Sequence, residues 1–221
     1  MTLEGQWGFF IARLRKALAC PLPGPEAQLR LAPLPRHSRS QTYPHAECPP
    51  QPAAVLILLY PHNGVLHLPF TRRTDIVATH RGQISWPGGA QEGEESLVGT
   101  ALRETKEELG VDPAVVEVLG QLTPLHTGSS GYLITPVVGW APARPAFQPD
   151  PREVAELLEV ELALLCAPGV LCQERWPFQD GQRLVPCYRL GPEIAIWGAT
   201  AMILSEFLAV VERVGTTDWQ D

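Results

Sequence analysis

Three glutamates, Glu104, Glu107 and Glu108, crowd the end of the stretch GAQEGEESLVGTALRETKEELGV (89–111), which opens on a glycine-rich turn and stops at Gly110. At about 100° per residue, Glu104 and Glu108 project about 40° apart, with Glu107 about 60° to the other side of Glu104. Val98, Leu102, Thr105 and Leu109 fall on the opposite stripe, so the spacing predicts a helix with a core side and an acid side. The acids sit where the helix dipole is already negative, and Glu104 and Glu108 form a like-charge i,i+4 pair. A hard divalent cation bound by oxygen ligands removes both penalties. A solvated acidic face with no ligand is the other reading of the helix taken alone.

The elements around this helix can be read from pattern. Trp7–Leu18 alternates apolar and basic residues at helical spacing, which predicts an amphipathic helix docked on the protein rather than on a membrane surface. Pro21–Pro52 is proline-rich and polar, a linker or meandering arm, so residues 1–52 form an arm packed on a domain spanning 53–221. Ala53–Tyr60 is a nearly continuous apolar run, a central buried strand, and Pro61–Gly64 turns it into an antiparallel partner at Val65–Thr71. Val115–Leu122 and Tyr132–Trp140 read as strands flanking a Gly-Ser loop at 127–131, Arg183–Arg189 as a further strand, and Ala199–Val214 as a long closing helix. The expected fold is α/β: a mixed central sheet between helices, an α/β/α sandwich.

Composition narrows the function classes. A chain of 221 residues, 45% hydrophobic, can bury one sizeable core. Seventeen basic against twenty-four acidic side chains give a net charge of −7, which argues against general nucleic-acid binding. Five cysteines (Cys20, Cys48, Cys166, Cys172 and Cys187) are widely spaced with no C-x-x-C pair, and are expected as reduced, buried thiols. No apolar run reaches the length of a membrane span and the N-terminus is too mixed for a signal peptide, so the reading is a cytoplasmic enzyme without a membrane partner. An exposed N-terminal arm is available to a homodimer.

The stretch 89–111 resembles the signature of the Nudix hydrolases: Gly, five residues, Glu, seven residues, then Arg-Glu-aliphatic-any-Glu-Glu-any-Gly-aliphatic. Gly89, Glu95, Arg103, Glu104, Glu107, Glu108, Gly110 and Val111 fit, and Thr105 is the one departure. The threonine is close to valine in size, and its hydroxyl can bond back to a carbonyl one turn earlier. Upstream, TRRTDIVATHRGQISWPGG (71–89) is similar to a motif of the coenzyme A pyrophosphatase branch through Thr71, Arg73, His80, Gly82, Gln83, Pro87, Gly88 and Gly89. Thr74 and Trp86 are mild departures, whereas Ala78 stands where the branch generally carries an arginine, a charge that Arg72 or Arg81 would have to supply. The segments 150–165 and 194–208 resemble later parts of the same branch.

The resemblance implies hydrolysis of a diphosphate linkage with Mg2+ or Mn2+. Glu104 and Glu108 would be metal ligands, joined by Glu107 and by the carbonyl of Gly89. Arg103 would orient the glutamates through bidentate contacts. Glu107 is the first choice of general base, with Glu153 and Glu156 as outside candidates. Arg72, Arg73 and Gln83 would bind substrate, while His80 reads as a turn residue and Trp86 as packing beneath the glycine turn. The expected substrate is a CoA-like nucleotide, CoA or acyl-CoA, cleaved to 3′,5′-ADP and a 4′-phosphopantetheine product. ADP-ribose, a dinucleotide or a nucleoside triphosphate remains an alternative substrate, and a non-catalytic nucleotide sensor is the non-enzymatic one.

Overall fold

In this computed structural model, residues 3–34, 49–74, 83–127, 131–178 and 181–215 are described. The chain opens with helix α1 (Leu3–Leu18) and the short α2 (Gly24–Leu29), followed by strands β1 (Gln51–His62), β2 (Val65–Arg73), β3 (Ile84–Ser85) and β4 (Gly88–Ala90). Helix α3 (Leu97–Leu109) carries the glutamates, and β5 (Glu117–Gln121), β6 (Leu125–Thr127), β7 (Tyr132–Trp140) and β8 (Val154–Glu161) follow. After α4 (Leu162–Leu165) come β9 (Leu171–Phe178), β10 (Gly181–Gly191), β11 (Ile194–Trp197) and the closing helix α5 (Gly198–Val214).

The apolar run of β1 is central, as its composition predicts. It pairs in parallel with β7 along one edge and antiparallel with β2 at its far end, through Tyr60 opposite His67. At its start the same edge is taken by β4, with Ala54 opposite Gly89 and Val55 opposite Gly88. The eight-stranded mixed sheet runs β3-β2-β1-β7-β5, with β4, β6 and β8 attached to β1, β7 and β2. Both faces of β1 are covered, which is why it lacks polar alternation. Leu56, Leu58 and Tyr60 pack with Ala101 and Leu109 of α3. Ile57 and Leu59 share a larger core with Trp7, Phe10, Ile11, Leu14 and Leu18 of α1 and with Leu204 and Phe207 of α5. Helices on both faces of a mixed sheet give the α/β/α sandwich expected. No helix among the described residues is long and apolar enough to cross a membrane.

Several sequence-based expectations need correction. The proline-rich stretch is not all linker: it contains α2, with Ala27 and Gln28 buried, and Leu34 bridges to Leu184. Propensity alone gave no helix there, because burial rather than periodicity holds so short an element. The strand expected from Val115 starts later, since Pro113–Val115 forms a 3-10 turn capped by the Asp112 carboxylate. The core stripe of α3 runs through Ala101, Thr105 and Leu109, leaving Val98 and Leu102 only half-buried. Strand β9 had no clear signature, because LCQERWPF mixes charge and aromatics on a half-buried face. Among the described cysteines only Cys187 is buried, while Cys20 and Cys166 are exposed. Cys48, Ala78, His80 and Arg81 lie outside the described residues, as do 128–130 of the expected Gly-Ser loop.

Candidate active site

Helix α3 is set against the glycine strand β4 by its ends and by one arginine. Ser96 caps its N-terminus by accepting from the Gly99 amide at 3.0 Å. Gly110 ends it in the left-handed conformation, φ 71°, with its amide donating to the Lys106 carbonyl. Thr105, the residue that departs from the family pattern, buries its hydroxyl by donating to the Ala101 carbonyl at 2.7 Å. The departure is therefore satisfied locally.

Arg103 is the hub. Its Nη1 donates to Glu104 and to Glu107, each at 2.9 Å, and its Nη2 donates to the Ala90 carbonyl at 3.1 Å. Its Nε and Nη2 also grip Glu95 at 3.2 and 2.9 Å. Glu95 receives further bonds from the Thr100 hydroxyl and the Glu92 amide. Arg103, first in the set that lowers it, holds the Glu95 carboxyl down at about 2. Sequence reading matched Glu95 to the motif without giving it a task. The structure makes it the anchor of Arg103: Glu95 precedes the N-cap Ser96, outside the helix, so no helical spacing announced the contact.

The three glutamates differ sharply in setting. Glu107 is exposed at 57%, whereas Glu108 is exposed at only 3% and belongs to the core side of the helix. This corrects the simple division into acid and apolar faces. Glu108 accepts from the Gly88 amide at 3.3 Å and faces Arg73 Nη1 at 3.7 Å. Burial pushes its carboxyl up to about 8, against the opposing pull of Arg73 and the Gly88 amide. Burial also raises Glu104, and the charges of Glu104 and Glu153 act on Glu108 in the same upward sense. Gly89 lies flush against this cluster: a β-carbon there would stand 2.5 Å from the Glu104 carboxylate carbon. A Gly88 β-carbon would stand 2.3 Å from the Ala54 carbonyl. Two glycines thus let a strand run directly under the acids.

Two desolvated carboxylates beside a glycine strand, Glu104 and Glu108, offer hard oxygen donors to a divalent cation. Glu107 is held by Arg103, and the ligand atoms of all three do not lie within 4.8 Å of one another.

The remaining candidates divide between two places. Arg73 turns to Glu108, and its buried Nε has no hydrogen-bond partner. Arg72, one residue earlier, turns away and pairs with Glu156 at 2.8 Å. Glu156 is thereby held away from the glutamates, whereas Glu153 is close enough to raise both Glu104 and Glu108. Gln83 accepts the Arg73 amide through its carbonyl at 3.1 Å. Together with Arg72 it lines a cleft of about 250 Å3, completed by Trp176, Arg189 and Trp197 from the second sheet, β11-β10-β9. Those last three residues were not anticipated, because only the tertiary fold brings the second sheet to β2. Trp86 packs: its ring centroid is 4.2 Å from that of Phe70 and its indole N–H donates to the Thr200 carbonyl.

Comparison with known proteins is consistent with this geometry. The NUDIX domain family matches residues 49–180. The chain is 36% identical over 147 residues to an uncharacterized Nudix hydrolase NudL of Photorhabdus laumondii, covering 64% of this chain and 75% of that one. It is 48% identical over 93 residues to an uncharacterized Nudix hydrolase NudL of Yersinia pestis, an alignment spanning 42% of this chain and 46% of the relative. The crystal structure of a MutT protein from Methanosarcina mazei superposes with a TM-score of 0.50 at 17% identity, over 78% of this chain and 99% of that one. That likeness concerns the fold.

Proposed function

Because the chain belongs to the Nudix hydrolase family, we propose that it hydrolyses the diphosphate linkage of CoA or acyl-CoA, releasing 3′,5′-ADP and 4′-phosphopantetheine or its acyl derivative. The observation that carries diphosphate hydrolysis is the half-buried Glu104 and the buried Glu108 held against Gly88 and Gly89. A bound Mg2+ or Mn2+ would supply charge neutralisation on the diphosphate and a more acidic water. Glu104, Glu108, Glu107 and the Gly89 carbonyl are the groups that would hold it. Arg103 fixes the conformations of Glu104 and Glu107 before substrate arrives, so little reorganisation is left for the reaction. Glu107, gripped by Arg103 through Oε2 and exposed over more than half of its side chain, would accept the proton of the attacking water. Arg73 supplies a guanidinium beside Glu108 for a phosphate oxygen.

The CoA reading rests on the upstream motif and is supported by the cleft beside it. Trp176 and Trp197 offer indole surface to an adenine, and Arg72 and Arg189 offer guanidinium groups to the extra phosphate that distinguishes CoA. Each arginine already holds a carboxylate, Glu156 and Glu174, so a phosphate must exchange with it. Turnover of CoA, acetyl-CoA, ADP-ribose, NADH, diadenosine polyphosphates and nucleoside triphosphates with Mg2+ and Mn2+ tests the reading. CoA and its thioesters should lead the series. Efficient ADP-ribose cleavage with slow CoA turnover would replace the substrate, and no turnover across the panel would leave a binding protein.

A further inference from the structure

Cysteines 172 and 187 are 15 residues apart in sequence and play no part in the site just described. The second sheet makes them direct partners: Cys172 on β9 lies opposite Cys187 on β10 in antiparallel register. Such partners have α-carbons about 4.5–5.5 Å apart, inside the window of about 4.4–6.8 Å that a disulfide spans. Their sulfurs are 3.5 Å apart, already turned toward one another. We infer that Cys172 and Cys187 form a modification site at which a hydroperoxide converts two thiols into an intramolecular disulfide across the β9–β10 hairpin.

The two sulfurs have unequal surroundings, and this sets the order of events. Cys172 is half-exposed, on the hairpin face it shares with Glu174 and Cys187, so a small oxidant reaches it. Cys187 is fully buried, and that burial pushes its thiol up to about 12. The Cys172 thiolate attacks a peroxide oxygen, the O–O bond breaks, and the sulfur becomes a sulfenic acid. With hydrogen peroxide, hydroxide leaves and takes up the proton that the thiol gave, forming water; an organic hydroperoxide releases its alcohol in the same way. The Cys187 sulfur then displaces the sulfenic hydroxyl, which departs with the Cys187 proton as a second water. Two electrons pass from the sulfur pair to the peroxide. A partner that close intercepts the sulfenic acid before further oxidation.

A metal ion is the competing use of the same atoms, since donor atoms of Cys172, Glu174 and Cys187 lie within 4.8 Å of one another. Glu174, however, is already engaged. It accepts from Arg189 Nε and Nη2 at 2.9 and 2.5 Å and from the Trp176 indole at 2.7 Å. That carboxylate is neutralised by a guanidinium, which leaves two thiols as the reactive pair.

The test uses the full reduced chain, without reference to its enzymatic activity, so it stands or falls apart from the hydrolase reading. Hydrogen peroxide should remove two of the five thiols and lower the intact mass by two hydrogens. Peptide mapping should show Cys172 joined to Cys187, and dithiothreitol should restore both thiols. Cys172→Ser should abolish the paired loss. Cys187→Ser, if it folds, should leave Cys172 as a sulfenic acid trappable by dimedone. A mass gain of oxygen with the two residues unlinked, or a bridge involving Cys20 or Cys166, would overturn the inference. So would stoichiometric zinc that must be stripped before either thiol reacts.

Discussion

Glu108 carries the largest burden of any single side chain, since its carboxyl is buried and leans toward the protonated form. Glu108→Gln keeps shape and hydrogen bonding while removing the charge a cation needs. We expect turnover to fall by roughly 100-fold or more, with a thermal midpoint no lower than wild type in metal-free buffer. Unchanged activity, or an unfolded variant, would remove Glu108 from the site. Gly89→Ala adds a methyl at 2.5–2.6 Å from the Glu104 carboxylate. Displacing that carboxylate should cost roughly 100-fold in kcat/KM, while circular dichroism stays native. The Arg103–Glu95 pair gives a proton-linked signal. Glu95 has its folded value depressed from 4.5 to about 2, so its contribution to stability is present above pH 4.5 and is lost as pH falls toward 2. In an NMR titration of Arg103→Ala, the Glu95 carboxyl should move back up toward 4.5; a carboxyl still near 2 would locate the cause elsewhere.

Helix α3 matters as an element because its two ends fix where the glutamates stand. Gly110 adopts a positive φ, and a β-carbon there would meet Gln148 at 2.8 Å. Beyond it the Gln148 and Asp150 amides donate to the last carbonyls of the helix, at Leu109 and Glu108. Gly110→Ala should therefore strain the stop and loosen the turn bearing Glu107 and Glu108. We expect a loss of about 1–2 kcal/mol in urea unfolding, and a fall in kcat larger than any change in KM. Equal activity with the same loss of stability would mean that the stop serves the fold alone.

At the scale of the whole molecule, Glu206 ties three distant segments together. It is fully buried on α5 and accepts from the Gly24 amide at 3.0 Å, the Gln28 side chain at 2.8 Å and the Thr123 amide at 3.3 Å. One carboxylate thus joins α2, the β5–β6 connection and the closing helix. Glu206→Ala leaves the Gly24 and Thr123 amides without this acceptor and Gln28 Nε2 with only the Thr123 carbonyl, and should cost about 3 kcal/mol or more in urea unfolding. A near-neutral result would show that water replaces the carboxylate. Arg213 adds a second tie, donating to the Pro21 carbonyl at 2.8 Å.

Much of this protein is legible in its amino-acid order because the informative features are local. The period of α3, the unbroken apolar run of β1 and the glycine at the helix stop are set by neighbours within a few residues. The same locality made Arg103 and the three glutamates legible as a group. Tertiary structure decided what depends on distant partners. It buried Glu108 while leaving Glu107 in solvent, and it turned Arg72 to Glu156 while Arg73 faced the acids. It also placed Cys172 beside Cys187 and the second sheet beside β2. Burial and pairing of this kind are properties of the surrounding packing, and no spacing along the chain encodes them.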